Sequence, residues 1–413
     1  MPSLGYTLDF PYKQKRYRAS VHLSATSQIF QLMLRVAHFI HSDGAGGGPK
    51  VVRQLLEGLD VEMFQQSVVH GGHGALTQWC RDHNIPEIEV PTQSVVSGIL
   101  GLNSLVRAFR RLSPDVVILH GQWAAPTGAW AAGRAAIPHS IYVAHCPAFY
   151  HSTSLFRAIR NYIAEKIPCS RCDRVVALSD GSFYNYLYRG WAPEEHLVKI
   201  HNGVDTSSVP SAEAVDALRR DFHWQGGAKN AVFVGRIDDQ KRVDWLLEAW
   251  LIALSSRSGE AAWHLWIVGD GRERTAMERR VRESGLESSV HFVGNQPDGM
   301  VWIAASDLLV LSSLYEGHAL VPLEAMACSK PVAAFFTDGV TDSVADGQTG
   351  LLAPLGDVAS LGKNIATLLG DAPRSEEMGA AGRKRMEAVF PISKTVAAYA
   401  ELIEEVCCDQ MSS

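Results

Sequence analysis

Long apolar runs, a cysteine framework and a large excess of charge are all missing from this chain of 413 residues. Runs such as Ser140–Ala144 and Asp307–Leu311 have the length of a strand, far short of the ~20 residues a membrane-spanning helix needs. That excludes an integral membrane protein. Seven cysteines are too few, and odd in number, for a disulfide scaffold, so free thiols in a reducing compartment are expected. Cys169 and Cys172 form one C-x-x-C pair without a second, and Asp409–Ser413 follow Cys407-Cys408, which removes zinc-ribbon and prenylation readings. The net charge is −6 and the basic groups are scattered, which excludes nucleic acid as a partner. Lys13, Lys15, Arg16 and Arg18 are not followed by a long apolar stretch with a small-residue cleavage site. A cytoplasmic location is therefore expected. Neither a Gly-Lys-Ser/Thr phosphate loop nor an Asp-x-Asp metal motif is found.

With 46 % hydrophobic and 20 % charged residues, the chain has the composition of a folded enzyme of two or three domains. Short apolar runs alternate with amphipathic helical stretches. The spacing predicts strands at Leu32–Ile40, Met63–Val69, Val116–His120, Ile141–Ala144, Val175–Leu178 and Val198–Ile200. After a break come Ala231–Val234, His264–Val268, Val290–Val293, Leu308–Leu311 and Pro331–Ala334. Alternating β and α elements imply an α/β fold with parallel sheets covered by helices on both faces. A hinge is expected around residues 204–228, where Ser, Ala, Pro and Gly collect. Residues 1–205 carry 19 basic and 15 acidic side chains, whereas the remainder carries a net −10. The first half can therefore meet an anionic surface or substrate that the second would repel.

In open parallel sheets ligands bind beyond the carboxyl ends of the strands, so chemistry is sought there. After the first strand comes Gly46-Gly47-Gly48-Pro49, a loop that lets backbone approach a ligand before a helix begins. It suits a phosphate or sugar cradle, and equally an ordinary turn. His70 and His73 lack a third metal ligand at diagnostic spacing and fit a loop beside the cleft. His145 ends a strand where it can face the cleft or serve as a satisfied structural histidine. In the second half, Gly235-Arg236 and Lys241 follow a strand and can converge on a polyanion, each charge-assisted bond contributing about 1.5–3 kcal/mol. Gly269-Asp270-Gly271 forms another strand-to-helix turn. The sharpest feature is Glu316-Gly317-His318-Ala319-Leu320 leading into an apolar helix with Glu324 alone in its middle. A carboxylate there needs strong donors, either ribose hydroxyls or an internal Lys or Arg.

The run from Glu316 to Glu324 resembles the E-x7-E signature of the family 4 retaining glycosyltransferases. Asn202-Gly203-Val204-Asp205, Pro114-Asp115-Val116-Val117 with His120-Gly121, and Asp346–Leu352 also fall in that family's order. The resemblance spans roughly residues 32 to 405. It implies a GT-B architecture: two Rossmann-like domains whose parallel sheets face across a cleft. The expected limits are 1–205 for an acceptor-binding domain, 206–390 for a donor domain and 391–413 for a helix crossing back. It further implies that Arg236 and Lys241 hold the donor diphosphate and that Glu324 binds the ribose. Glu316 would contact the transferred sugar near the backbone of His318, Ala319 and Leu320. His145 would contact donor sugar or phosphate, while Gly46, Gly47 and Gly48, with Gly235, Gly269 and Gly271, would pack around the donor. His318-Ala319 replaces a common Phe-Gly, Asp342 a common glutamate and Ser329 a frequent glycine.

The expected reaction is retaining transfer of a hexose from a nucleoside diphosphate sugar, UDP ahead of GDP, to a hydroxyl of a glycan, lipid-linked or small-molecule acceptor. No cofactor and no metal ion are expected. Ser154–Lys166 can form an interfacial helix at an anionic inner membrane face or simply pack on its sheet. A sugar-nucleotide epimerase of the same architecture and a non-catalytic nucleotide-binding module are the alternatives.

Overall fold

A computed structural model describes residues 33–41, 46–91, 95–146, 155–257 and 259–408. The first sheet contains β1 (Leu34–Ile40), β2 (Phe64–His70), β3 (Glu87–Glu89), β4 (Val116–His120), β5 (His139–Ala144), β6 (Arg174–Ala177) and β7 (Leu197–Lys199). All pairs are parallel and the order is β3-β2-β1-β4-β5-β6-β7. Covering it are α1 (Gly47–Gly58), α2 (Ala75–Asp82), α3 (Val95–Leu112), α4 (Ala125–Ala135), α5 (Leu155–Arg171) and α6 (Asp180–Tyr188). Every residue of β4, Val-Val-Ile-Leu-His, is buried. A strand covered on both faces has no solvent side to require polar alternation, which is why its sequence is a continuous apolar run.

The second sheet contains β8 (Lys229–Val234), β9 (Trp263–Val268), β10 (Val290–Gly294), β11 (Leu308–Leu311), β12 (Val332–Phe335) and β13 (Gly350–Ala353), parallel throughout. Their order is β10-β9-β8-β11-β12-β13. Its helices are α7 (Ala212–Asp221), α8 (Val243–Ser255), α9 (Arg274–Glu283), α10 (Gly299–Ala305), α11 (Leu320–Ala327), α12 (Val340–Ser343), α13 (Val358–Gly370) and α14 (Ala372–Val389). On α8 the buried Val243, Leu246, Leu247, Trp250 and Ala253 recur at helical spacing and fill the core under the sheet. Each large apolar side chain buried this way stabilises the fold by about 1.5–3 kcal/mol.

The stretch 204–228, expected as a hinge, is instead largely part of the second body. Ser211 caps α7 by accepting from the Ala214 N–H, Leu218 is buried beside Trp266 and Trp302, and Trp224 stacks on Trp266 with centroids 4.9 Å apart. The Ser and Ala that suggested a linker are a helix cap and helix formers. The chain returns through α15 (Ile392–Cys408), whose start is tied to Val204 by two backbone bonds of 3.1 Å. Tyr399, Leu402, Ile403 and Val406 of α15 share one core with Val51 and Leu55 of α1 and with Leu323 and Met326 of α11. These two parallel α/β sheets and the returning helix form the GT-B architecture.

Candidate active site

Each sheet reverses its strand order once, between β1 and β4 and between β8 and β11. Crevices open beyond the carboxyl ends of strands at such points. The loops found there are Gly46–Gly48 after β1, Gly121-Gln122 after β4, Gly235–Lys241 after β8 and Ser312–Ala319 after β11.

At the second sheet the loops lock together by backbone. Gly269 has φ +136°, and a Cβ on it would lie 1.9 Å from the Gly235 carbonyl oxygen, so only glycine lets the β8 and β9 loops meet. The Ile237 N–H donates to the Asp270 carbonyl at 2.9 Å. On this frame Lys241 Nζ donates to Glu316 Oε1 at 2.6 Å, with side chains only 12 % and 7 % exposed. Arg236 lies nearer the surface, its guanidinium on Asp238 at 3.3 Å and on Gln240 at 3.0 Å. Gln240 in turn donates to the Tyr315 carbonyl at 3.1 Å, fixing the loop that carries Glu316. Burial, and Glu316 beside it, push the Cys146 thiol up, so it stays protonated at neutral pH.

The two sheets meet at this point. A Cβ on Gly317 would fall 1.7 Å from the His145 carbonyl oxygen, which is why the residue after Glu316 is glycine. Gly47 faces Leu320 at the start of α11, and Gly48 faces the His145 ring. Glu324, buried on α11, forms an ion pair with Lys50 in the first turn of α1, on the opposite side of the crevice. This partner is the internal lysine that the sequence left open, and it comes from 274 residues away. No side chain caps α11 at Ala319, so the positive end of the helix stays available to a ligand.

His318 is tied into the protein by its side chain. Its ring is buried, accepts from the Asn202 N–H at 3.2 Å and meets Ser343 Oγ at 3.2 Å. Burial, with His201 stacked against it, lowers its pKa to about 3. Asp342 accepts from the Asp180 N–H at 2.8 Å and from His201 at 3.3 Å. Burial alone would raise that carboxyl, yet these hydrogen bonds lower it. The replacements His318 and Asp342 thus latch the second sheet's loops to the first. Asp180, His201 and Asp342 also bring three potential ligand atoms within 4.8 Å of one another. His70 and His73 are engaged with Glu87 and Glu89. Cys169 and Cys172 are buried free thiols, the latter pushed up to about 12 by burial.

Sequence reasoning passed over several polar residues at the ends of the strands, and noted Asn202 only as part of a motif. Gln122 Oε1, Asn202 Oδ1, Ser313 Oγ and Thr337 Oγ1 are buried without a hydrogen-bond partner among the described residues. These four follow β4, β7, β11 and β12, where the sheets end; Trp224 Nε1, His264 Nε2 and Tyr399 OH, also without a partner among the described residues, lie elsewhere. Each of the four costs about 1–3 kcal/mol while unpaired, a cost that a polar ligand relieves. Their signal was position after a strand; that of Lys50 was its place in the turn following the triple glycine.

Comparison with known proteins agrees with this geometry. A family model described as Glycosyltransferase Family 4 matches residues 45–208, and one described as Glycosyl transferases group 1 matches residues 228–371. The 2-deoxystreptamine glucosyltransferase of Streptomyces kanamyceticus is 29 % identical over 73 % of this chain and 82 % of its own length. The 2-deoxystreptamine N-acetyl-D-glucosaminyltransferase of Streptomyces fradiae is 29 % identical over 70 % and 73 %. Among solved structures, Anabaena HepE in complex with UDP and glucose superposes with a TM-score of 0.78 at 22 % identity, covering 90 % of this chain and all of that one.

Proposed function

The chain belongs to the family 4 glycosyltransferases of GT-B fold, and from that premise we propose that it moves a hexose from a UDP-sugar to an acceptor hydroxyl with retention of configuration and without a metal ion. The observation that carries this is the Lys241–Glu316 pair beside the uncapped start of α11, with Glu324 in the same helix. Glu324 accepts from the ribose hydroxyls after releasing Lys50. Arg236, Lys241 and the α11 N-terminus face the diphosphate, where negative charge grows as the glycosidic C–O bond breaks. Preorganised positive groups act most strongly on charge that develops in the transition state. They supply the compensation a divalent cation would otherwise give. As the sugar C–O bond to the diphosphate breaks, the acceptor oxygen bonds to the same carbon from the same face. Its proton passes to the leaving phosphate oxygen. No protein nucleophile takes part in this scheme: Glu316 is held by Lys241 and Cys146 stays protonated.

The acceptor is assigned to small polyhydroxylated rings, on the names of the two Streptomyces relatives. UDP-glucose and UDP-N-acetylglucosamine should release UDP when such polyols are supplied. An altered sugar nucleotide formed without acceptor would point to an epimerase, and a donor that binds but is never consumed to a binding module.

A second reading concerns location. Ile159, Tyr162 and Ile163 of α5 are about half exposed beside Arg160, while Glu165 of the same helix is buried. Such a face suits an anionic lipid surface. Ser154 and the side chains of residues 155–158 lie outside the described residues. Among the described residues no helix is long and apolar enough to cross a membrane. Sedimentation with anionic but not neutral vesicles would support the reading, and no sedimentation with either would end it.

A further inference from the structure

Three histidines and a glutamine run diagonally across the first sheet. Gln66 on β2 stands opposite Val36, and His38 lies two residues further along β1. His120 on β4 stands opposite Ile40, two residues beyond His38. His145 lies two residues beyond Val143, which stands opposite His120. Each step crosses to the next strand and advances two residues, which keeps Gln66, His38 and His120 on one face, and His145, just past the end of β5, joins the row with its ring stacked on that of His120. The row climbs roughly 20 Å along the strands toward the crevice.

The hydrogen bonds of this row have only one consistent polarity. Gln66 Nε2 donates to the Leu56 carbonyl of α1 at 3.2 Å, so the amide oxygen faces His38 Nε2, also at 3.2 Å. That oxygen can only accept; His38 therefore carries its proton on Nε2 and offers a lone pair at Nδ1. His120 Nε2, 3.1 Å away, must donate to it, leaving His120 Nδ1 bare. His145 Nε2, 3.2 Å from that atom, must donate in turn. His145 Nδ1 is left as a lone pair, with no partner among the described residues. Burial holds His38 and His145 at pKa values of about 4 and His120 well below the ordinary value, so the neutral row persists at physiological pH.

We propose that Gln66, His38 and His120 are positioning residues that fix His145 as the Nε2–H tautomer and so make it a hydrogen-bond acceptor in the crevice. An acceptor there pairs with a hydroxyl of the transferred sugar and not with an unprotonated phosphate oxygen. This deepens the donor-site reading and rests on it for the identity of the ligand; the tautomer itself does not. Gln66 is the anchor because its amide is oriented by a carbonyl that cannot donate.

The test is a long-range proton–nitrogen NMR spectrum of the full chain, unliganded, with isotope-labelled histidine, at pH 7.5. His38, His120 and His145 are expected as Nε2–H tautomers. Gln66→Leu, close in volume, should give His145 a mixed-tautomer signature and raise the KM for the donor about five- to tenfold with a smaller change in kcat. An Nδ1–H or doubly protonated His145 in the wild-type spectrum would overturn the proposal, whether or not the variant folds. So would a His145 signature unchanged in Gln66→Leu. The expected tautomers together with no response to any sugar nucleotide would instead defeat the donor-site reading and leave the relay standing.

Discussion

Replacing Lys241 by methionine separates two duties: the structure shows it as the buried counterion of Glu316, and the proposed scheme has it face the donor diphosphate. Methionine keeps the length and apolar stem while removing the charge. Glu316 is then an uncompensated carboxylate at 7 % side-chain exposure. Breaking a buried pair by removing one partner costs about 3–5 kcal/mol. At about 2–4 °C per kcal/mol for a body of 150–250 residues, Tm should fall by roughly 6–20 °C. Turnover should fall about 10²–10³-fold, the loss seen when one preorganised electrostatic group is removed. The double variant Lys241→Met, Glu316→Gln leaves no unpaired charge, so it should regain most of the lost Tm. Its turnover should not return. Thermal unfolding and UDP release at saturating donor, measured on all variants at one temperature below the lowest Tm, distinguish the two effects. Recovery of turnover together with stability would refute the reasoning, since Lys241 would then matter only as a counterion. Near-normal turnover in the single variant would remove Lys241 from the mechanism altogether.

Other expectations follow from the same geometry. In the unliganded chain Lys50 occupies Glu324, so Lys50→Met should tighten binding of uridine, which has no phosphate for Lys50 to meet, by roughly fivefold for a half-exposed pair; calorimetry showing equal or weaker binding would contradict this. His318→Phe leaves the Asn202 N–H without its acceptor and should lower stability by about 1–3 kcal/mol in urea unfolding, and an unchanged midpoint would show the latch is dispensable. Stability should also decline with acid. His38 and His145 protonate near pH 4 and His318 near 3 when folded, but near 6.5 when unfolded. Between those values the unfolded chain binds more protons, so the stability present above about pH 6.5 is lost as pH falls toward 4. Each such histidine contributes about 1.4 kcal/mol per pH unit in that window; urea midpoints flat from pH 7 to 4.5 would contradict it.

The legible parts of the fold are those where local sequence and tertiary environment demand the same thing. Val116–His120 and Leu308–Leu311 were recoverable to the residue because strands buried on both faces are written as unbroken apolar runs. β3 is three residues with two glutamates, an edge whose existence depends on β2 beside it, and it left no pattern to read. In α7 only Leu218 is buried, so the helical period was too faint to separate it from a linker. Of the candidate site residues, Lys241 and Glu316 stood out because charges beside glycine turns are unusual, and Glu324 because it is the lone charge in an apolar helix. Their partners did not. That Glu324 meets Lys50, or that His38, His120 and His145 form one row, follows only from strand order and register, which a single sequence does not state.

The claim that a nucleotide-sugar site lies between Lys241, Glu316 and Glu324 is tested most directly by calorimetric titration with UDP, GDP, ADP and dTDP, with and without EDTA, against the wild-type protein and Glu324→Gln. The account predicts selective binding of UDP that survives EDTA and weakens at least tenfold in the variant, the ribose having lost its charged acceptor. Binding of no nucleotide, or of UDP with equal strength in both proteins, would contradict it.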